Sequence, residues 1–234
     1  SCIWNVNFYN CTNDNYHFLM YRGGEAATAK INLTLENCSA NGFIDSIVHT
    51  TADGKITIKN CTFSNNCAPV NIAHKQSGTM DVTVENSKFI NCGKIDTAND
   101  YFAPARFVNN NATGTLVVNL TNNTFTGTIG TNGDILLGDY RTGKESHALT
   151  ANITTANPVM VKSSADAAYS YNGGTINPAD PFSPAVLPAA GNTPSAAAML
   201  SRTDIKKEPP PGGSFLPFIH FLPFIHLSVF VPKA

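Results

Sequence analysis

Apolar and polar residues alternate in short runs that recur along the chain to about residue 162. In Lys55 to Asn66, KITIKNCTFSNN, Ile56 and Ile58 share one face and Thr57 takes the other, the period of a half-buried strand. Asn60 closes the run, and Phe63 follows three residues later. The same order returns with Leu33, Thr34 and Leu35 before Asn37. It returns again with Val82, Thr83 and Val84 before Asn86, and with Val118, Asn119 and Leu120 before Asn122; Phe89 and Phe125 follow these last two. Ile3 before Asn5, with Phe8 after it, reads as a truncated first copy. The copies at Asn5, Asn37, Asn60, Asn86 and Asn122 are separated by 32, 23, 26 and 36 residues, an irregular repeat in the range of solenoids.

Strand side chains alternate, so the apolar residues two and four positions before each Asn share a face. Stacking the copies at about 4.8 Å would bury that face as a ladder. By parity the Asn points inward at a bend, where stacked amides can bond from coil to coil. The Phe then reopens an inward face on a second strand, with Ala40 in its place in the second copy. A third strand per coil is expected in Phe18 to Tyr21, Phe43 to Val48, Val70 to Ile72, Ala105 to Val108 and Ile135 to Leu137. The variable loops fall at Arg22 to Lys30, Asp53-Gly54, Lys94 to Pro104 and Thr142 to His147. The predicted fold is all-β: a right-handed parallel β-helix of five to six coils, Ala148 to Val161 being a degenerate sixth. The competing β-sandwich leaves the agreement between copies unexplained. Handedness rests on the general crossover preference.

The organisation predicted is β-helix repeats over 1–162, an irregular Pro/Ala-rich segment over 163–211, and an apolar tail over 212–234 outside the fold. The tail duplicates FLPFIH, and Pro217 and Pro223 interrupt its apolar run, so no membrane span is expected. The chain opens within a repeat and shows no signal peptide, so further coils or a cap are expected upstream.

Charged residues make up 13% of the 234 residues and the formal net charge is −1, which gives no field for nucleic acid. The six cysteines lack metal-ligand spacing. Cys38 and Cys61 share a column, yet free thiols in or beside the core are the expected state. Eight N-x-[ST] sequons, at Asn10, Asn32, Asn37, Asn60, Asn111, Asn119, Asn122 and Asn152, follow from an Asn- and Thr-rich composition and are not read as glycosylation sites. Among candidate chemistry, Arg22, His49, His74 with Lys75, Arg106 and Arg141 fall beside or on the third strands, nearly one per coil. In register they would form a basic column suited to an acidic polysaccharide. The alternative is ordinary solvated side chains. Asp45 and Asp139 are too sparse for a calcium site, and no metal or cofactor is expected. The outward Thr34, Thr57 and Thr83 suit an ice-binding face, but the neighbouring Glu36, Lys59 and Glu85 spoil it.

The segments ITIKNCTFSNN (56–66), VTVENSKFINC (82–92) and VVNLTNNTFTG (117–127) resemble the pectate-lyase-like superfamily of right-handed β-helix proteins, especially modules of bacterial secreted or surface proteins that handle polysaccharides. The resemblance covers about residues 1–162. It implies the right-handed coil, a secreted or cell-surface location and a substrate groove along one strand face, often with calcium and a Lys or Arg base. No catalytic motif matches residue by residue. Three functions follow as expectations: a non-catalytic polysaccharide-binding module, a polysaccharide lyase or glycoside hydrolase, and an adhesin or structural stalk.

Overall fold

The computed structural model describes residues 2–42, 45–93, 102–139, 146–155, 157–164, 166–172, 174–176 and 185–187. Every regular element among them is a β-strand. The first repeat supplies β1 (Ile3–Tyr9), β2 (Thr12–Asp14) and β3 (Leu19–Met20), and the second supplies β4 (Lys30–Glu36), β5 (Ser39–Asn41) and β6 (Val48–Thr50). The third repeat forms β7 (Asp53–Lys59), β8 (Thr62–Ser64) and β9 (Val70–His74), and the fourth β10 (Thr79–Glu85), β11 (Lys88–Ile90) and β12 (Ala105–Asn109). After these come β13 (Thr115–Thr126), β14 (Ile135–Leu137), β15 (Leu149–Thr155), β16 (Val159–Ser163), β17 (Ala167–Tyr171), β18 (Gly174–Ile176) and β19 (Ala185–Leu187).

Each strand pairs in parallel with its counterpart in the next repeat. One row runs β1-β4-β7-β10-β13-β15-β17, a second β2-β5-β8-β11-β13, and a third β3-β6-β9-β12-β14-β16. The first two rows join in one sheet because β13 continues through both, with a register shift against β15 between Thr121 and Asn123. The parallel order ends in antiparallel strands, β18 on β17 and β19 on β16. Thus β17 carries the first row beyond residue 162. The apolar tail, 212–234, lies outside the described residues.

The alternation builds the core as columns. Leu33, Ile56, Val82, Val118 and Ala151 align across the first row, as do Leu35, Ile58, Val84, Leu120 and Ile153. All ten are at most 1% exposed. Phe63, Phe89 and Phe125 stack in the second row with ring centroids 5.3 and 4.6 Å apart, each partner fixed by the strand register. Asp53-Gly54, expected as a loop, instead opens β7. Gly54 has φ 124°, and a Cβ there would lie 2.3 Å from the Ile31 carbonyl oxygen, so only glycine fits this close approach.

The marker Asn residues do not point inward. Asn37, Asn60, Asn86 and Asn122 are exposed, with φ between 52° and 55°. Strand parity ends where the backbone turns left-handed, a region that Asn tolerates better than most residues. The next residue faces the core instead. Cys38 Sγ donates to the Phe8 and Glu36 carbonyls, Cys61 Sγ to those of Leu35 and Lys59, and Asn123 Nδ2 to that of Val84. The buried bend thus bonds from coil to coil through this following position, which Ser87 fills in the fourth repeat. The same geometry corrects the first copy. Tyr9 pairs with Glu36, and Asn10, φ 55°, is the bend residue rather than Asn5. A second left-handed corner follows each short second-row strand at Asn15, Gly42, Asn65, Asn91 and Gly127. None of the six cysteines forms a disulfide.

Candidate functional site

The third row positions the predicted basic residues. Its four middle strands, β6, β9, β12 and β14, read VHT, VNIAH, ARFVN and ILL and are buried at every position, as in a parallel sheet covered on both faces. Val48, Val70, Ala105, Ile135 and Val161 form one column, and the next position along each strand forms another: His49, Asn71, Arg106, Leu136 and Lys162. His49 and Arg106 therefore do share a column, with Asn71 between them.

A hydrogen-bonded chain runs along this column. Arg106 Nη1 donates to Asn71 Oδ1 and Arg106 Nη2 to Asp139 Oδ2, both at 2.8 Å. Asn71 Nδ2 donates to Ser46 Oγ at 3.1 Å, and the Ser46 amide donates to Asp45 Oδ1 at 2.8 Å. Arg22 ends the chain with Nη2 3.7 Å from Asp45 Oδ2. Its side chain is 67% exposed, whereas those of Arg106 and Asp139 are 3% and 1% exposed. Burial pulls the His49 pKa down to about 4, helped by the charges of Arg22 and Arg106 and opposed by an Asn71 backbone hydrogen bond and Asp45. The imidazole is therefore neutral near pH 6.5. Its Nδ1 is buried without a partner among the described residues.

The other predicted residues lie elsewhere. His74 pairs in register with Asn109, off the His49 column, and is fully buried with Nε2 2.8 Å from Asp53 Oδ1. Lys75 follows β9; its backbone amide donates to the Thr51 carbonyl, and its own carbonyl accepts from Asn111 Nδ2. These two residues tie a corner between coils. Arg141 lies outside the described residues.

The residues missed by sequence reasoning are Ser46 and Asn71, together with the role of Asp139 as the Arg106 partner. A signal for Asn71 was present. It is a lone amide between Val70 and Ile72 in a run that is otherwise apolar. Chemically, the column holds a desolvated ion pair extended by neutral hydrogen bonds, and both terminal nitrogens of Arg106 are committed to protein acceptors. Among the described residues, no group of three or more His, Cys, Asp or Glu could hold a metal ion, and no helix is long and apolar enough to cross a membrane. No family model matches this chain, and neither does any curated protein or solved structure.

Proposed function

We propose that the three strand rows wind as a right-handed parallel β-helix of the pectate-lyase-like kind, and that this helix serves as a non-catalytic structural or adhesive stalk of a secreted or cell-surface protein. The observation that carries the reading is the commitment of the basic residues. Arg106 is spent on Asp139 and Asn71, and His74 on Asp53, inside the protein. A ligand-binding cation must keep donors free for the incoming carboxylate or sulfate. A stalk needs what the rows supply, namely coil-to-coil bonding repeated in register along a rigid stack.

Binding of an acidic polysaccharide is the second reading, supported by the exposed guanidinium of Arg22 at one end of the network. Retention on acidic-glycan gels at low and high salt separates the two, because exposed charges are screened over about 8–10 Å at 0.1–0.15 M salt. A stalk passes through such a gel unretarded at both salts. Salt-sensitive retention that is lost on Arg22→Ala would establish glycan binding instead. Release of ultraviolet-absorbing unsaturated sugar ends would overturn both readings in favour of a lyase.

A further inference from the structure

We propose that the outward face of the first row docks a second copy of this chain, turned about a two-fold axis that runs along the strands between β7 and β10. Outward positions in this row alternate with the buried columns. β7 presents Lys55, Thr57 and Lys59, and β10 presents Asp81, Thr83 and Glu85, each aligned with its counterpart in register. Lys55 and Asp81 are exposed, Lys59 and Glu85 keep 43% and 35% of their side chains in solvent, and the two threonines are half-buried. One strand thus carries lysines where its neighbour carries carboxylates. Both strands lie inside the row and are paired on either side, so this surface does not depend on an end of the stack.

Pairing within the sheet accounts for only part of this pattern. Lys59 Nζ lies 3.3 Å from Glu85 Oε2, whereas the side chains of Lys55 and Asp81 form no ion pair or hydrogen bond among the described residues. A half-turn about an axis parallel to the strands exchanges β7 and β10 across the contact. Lys55 then faces Asp81 of the second copy, Lys59 faces its Glu85, and Thr57 faces its Thr83. Further out, Asn32, Thr34 and Glu36 face Val117, Asn119 and Thr121, so no like charges meet. The other half-turn in the plane of the face, about the stacking direction, sets Lys55 against Lys59 and Asp81 against Glu85, which repel. The charges therefore select one two-fold contact, the commonest closed symmetry. They also disfavour a polyanion on this face, where Lys30, Lys55 and Lys59 are balanced by Glu36, Asp81 and Glu85. The strands from β1 to β15 in this row overlap over about 23 Å by 29 Å, or roughly 650 Å² per copy, which reaches the size of a specific interface. The face carries no aromatic anchor at its centre, so the contact is a weak one.

Light scattering after size exclusion of the full chain, at hundreds of micromolar, tests this and gives the mass of a dimer for the wild type. Lys55→Glu/Lys59→Glu makes both strands acidic, and Asp81→Lys/Glu85→Lys makes both basic. Each variant alone opposes like charges across the axis and associates about tenfold or more weakly than the wild type. Mixed in equal amounts, the two variants pair again, because carboxylates of one meet lysines of the other at each position. Matching circular dichroism and melting curves confirm that both variants fold. A monomeric wild-type chain would overturn the proposal, as would a mixture of the variants that stays monomeric. So would either variant alone dimerising as tightly as the wild type, which would locate the contact elsewhere, for instance in the duplicated apolar tail.

Discussion

Arg106 and Asp139 form an ion pair at 2.8 Å with 3% and 1% of their side chains exposed. The pair is withdrawn from water, and Arg106 also holds Asn71 in the neighbouring coil. Removing one partner leaves a buried charge without its counterion, which costs far more than the pair itself contributes.

Arg106→Leu is therefore expected to destabilise the chain by about 3–5 kcal/mol, read from urea denaturation. Replacing Asp139 as well, in Arg106→Leu/Asp139→Leu, should recover most of that loss. Recovery separates a stranded carboxylate from lost packing, because packing alone would make the double variant the worse of the two. Arg106→Ala is consequently no clean test of ligand binding, because it strands the buried Asp139 carboxylate.

Asn60 has φ 52° at an exposed bend. An ordinary L-residue pays about 1–2 kcal/mol to sit there, while glycine pays no Cβ penalty. Asn60→Leu should lose about that much in chemical denaturation, and Asn60→Gly should stay near wild type. If both lost equally, the amide rather than the backbone would be the source of the stability.

The strand rows were legible because alternation is a local property. Val82 and Val84, or Ile56 and Ile58, announce an inward face without reference to any other coil. Third strands were legible only as short apolar runs between loops: Ile135 to Leu137 is β14 as expected, whereas the expected Phe43 to Val48 overlaps β6, Val48–Thr50, at Val48 alone. The orientation of Asn60 was not, because the parity rule was carried one residue past the strand into a left-handed corner. Asn5 misled because Ile3 before it and Phe8 after it imitate the repeat, while the pairing of Tyr9 with Glu36 fixes Asn10 as the true bend. The candidate site was partly legible. Basic residues near each third strand could be counted, but register across loops of unequal length could not, so His74 was placed with His49. The decisive partner of Arg106, Asp139, comes from beyond β14, and no spacing rule links the two.

Burial pushes the Cys61 and Cys92 thiols up to about 11. Both sulfurs also donate to main-chain carbonyls, Cys61 to Lys59 at 3.2 Å and Cys92 to Phe63 at 3.4 Å. Alkylation requires thiolate and access. Peptide mapping after brief labelling at mildly alkaline pH should find exposed Cys2 modified in the native chain, and Cys61 and Cys92 modified only after denaturation. Native labelling at Cys61 would mean that the corner at Asn60 opens on its own.

Phe89 is stacked between Phe63 and Phe125 and is 1% exposed. Phe89→Ala leaves a cavity with ring faces on both sides, and the expected loss is about 3–5 kcal/mol in thermal or urea unfolding. Ala40 fills the same column beside Phe63, which shows that a small residue is accommodated next to the stack. The cost should therefore be much smaller for Phe125→Ala, whose ring has a stacked partner on one side in this column. Equal losses at the two positions would show that the stack is not the unit that matters.

The pH dependence follows from His49, whose folded-state pKa of about 4 lies below the ordinary 6.5. A lowered histidine pKa means that the folded protein favours the neutral ring. Above pH 6.5 both folded and unfolded chains hold it neutral, and its full contribution to stability is present. As pH falls from 6.5 to about 4, the unfolded chain takes up a proton that the folded chain refuses, so stability drops. The slope is at most about 1.4 kcal/mol per pH unit and the total on the order of 3 kcal/mol, after which the histidine contributes no further change. Other groups also respond to pH, including Asp134, whose carboxyl is raised chiefly by burial. They are common to wild type and His49→Asn, so the difference between the two stability curves isolates the imidazole. That difference should be flat above pH 6.5 and should narrow in favour of the variant between 6.5 and about 4. Parallel curves across the whole range would mean that His49 accepts its proton as readily in the folded chain as in the unfolded one, and that the guanidiniums of Arg22 and Arg106 do not act on it.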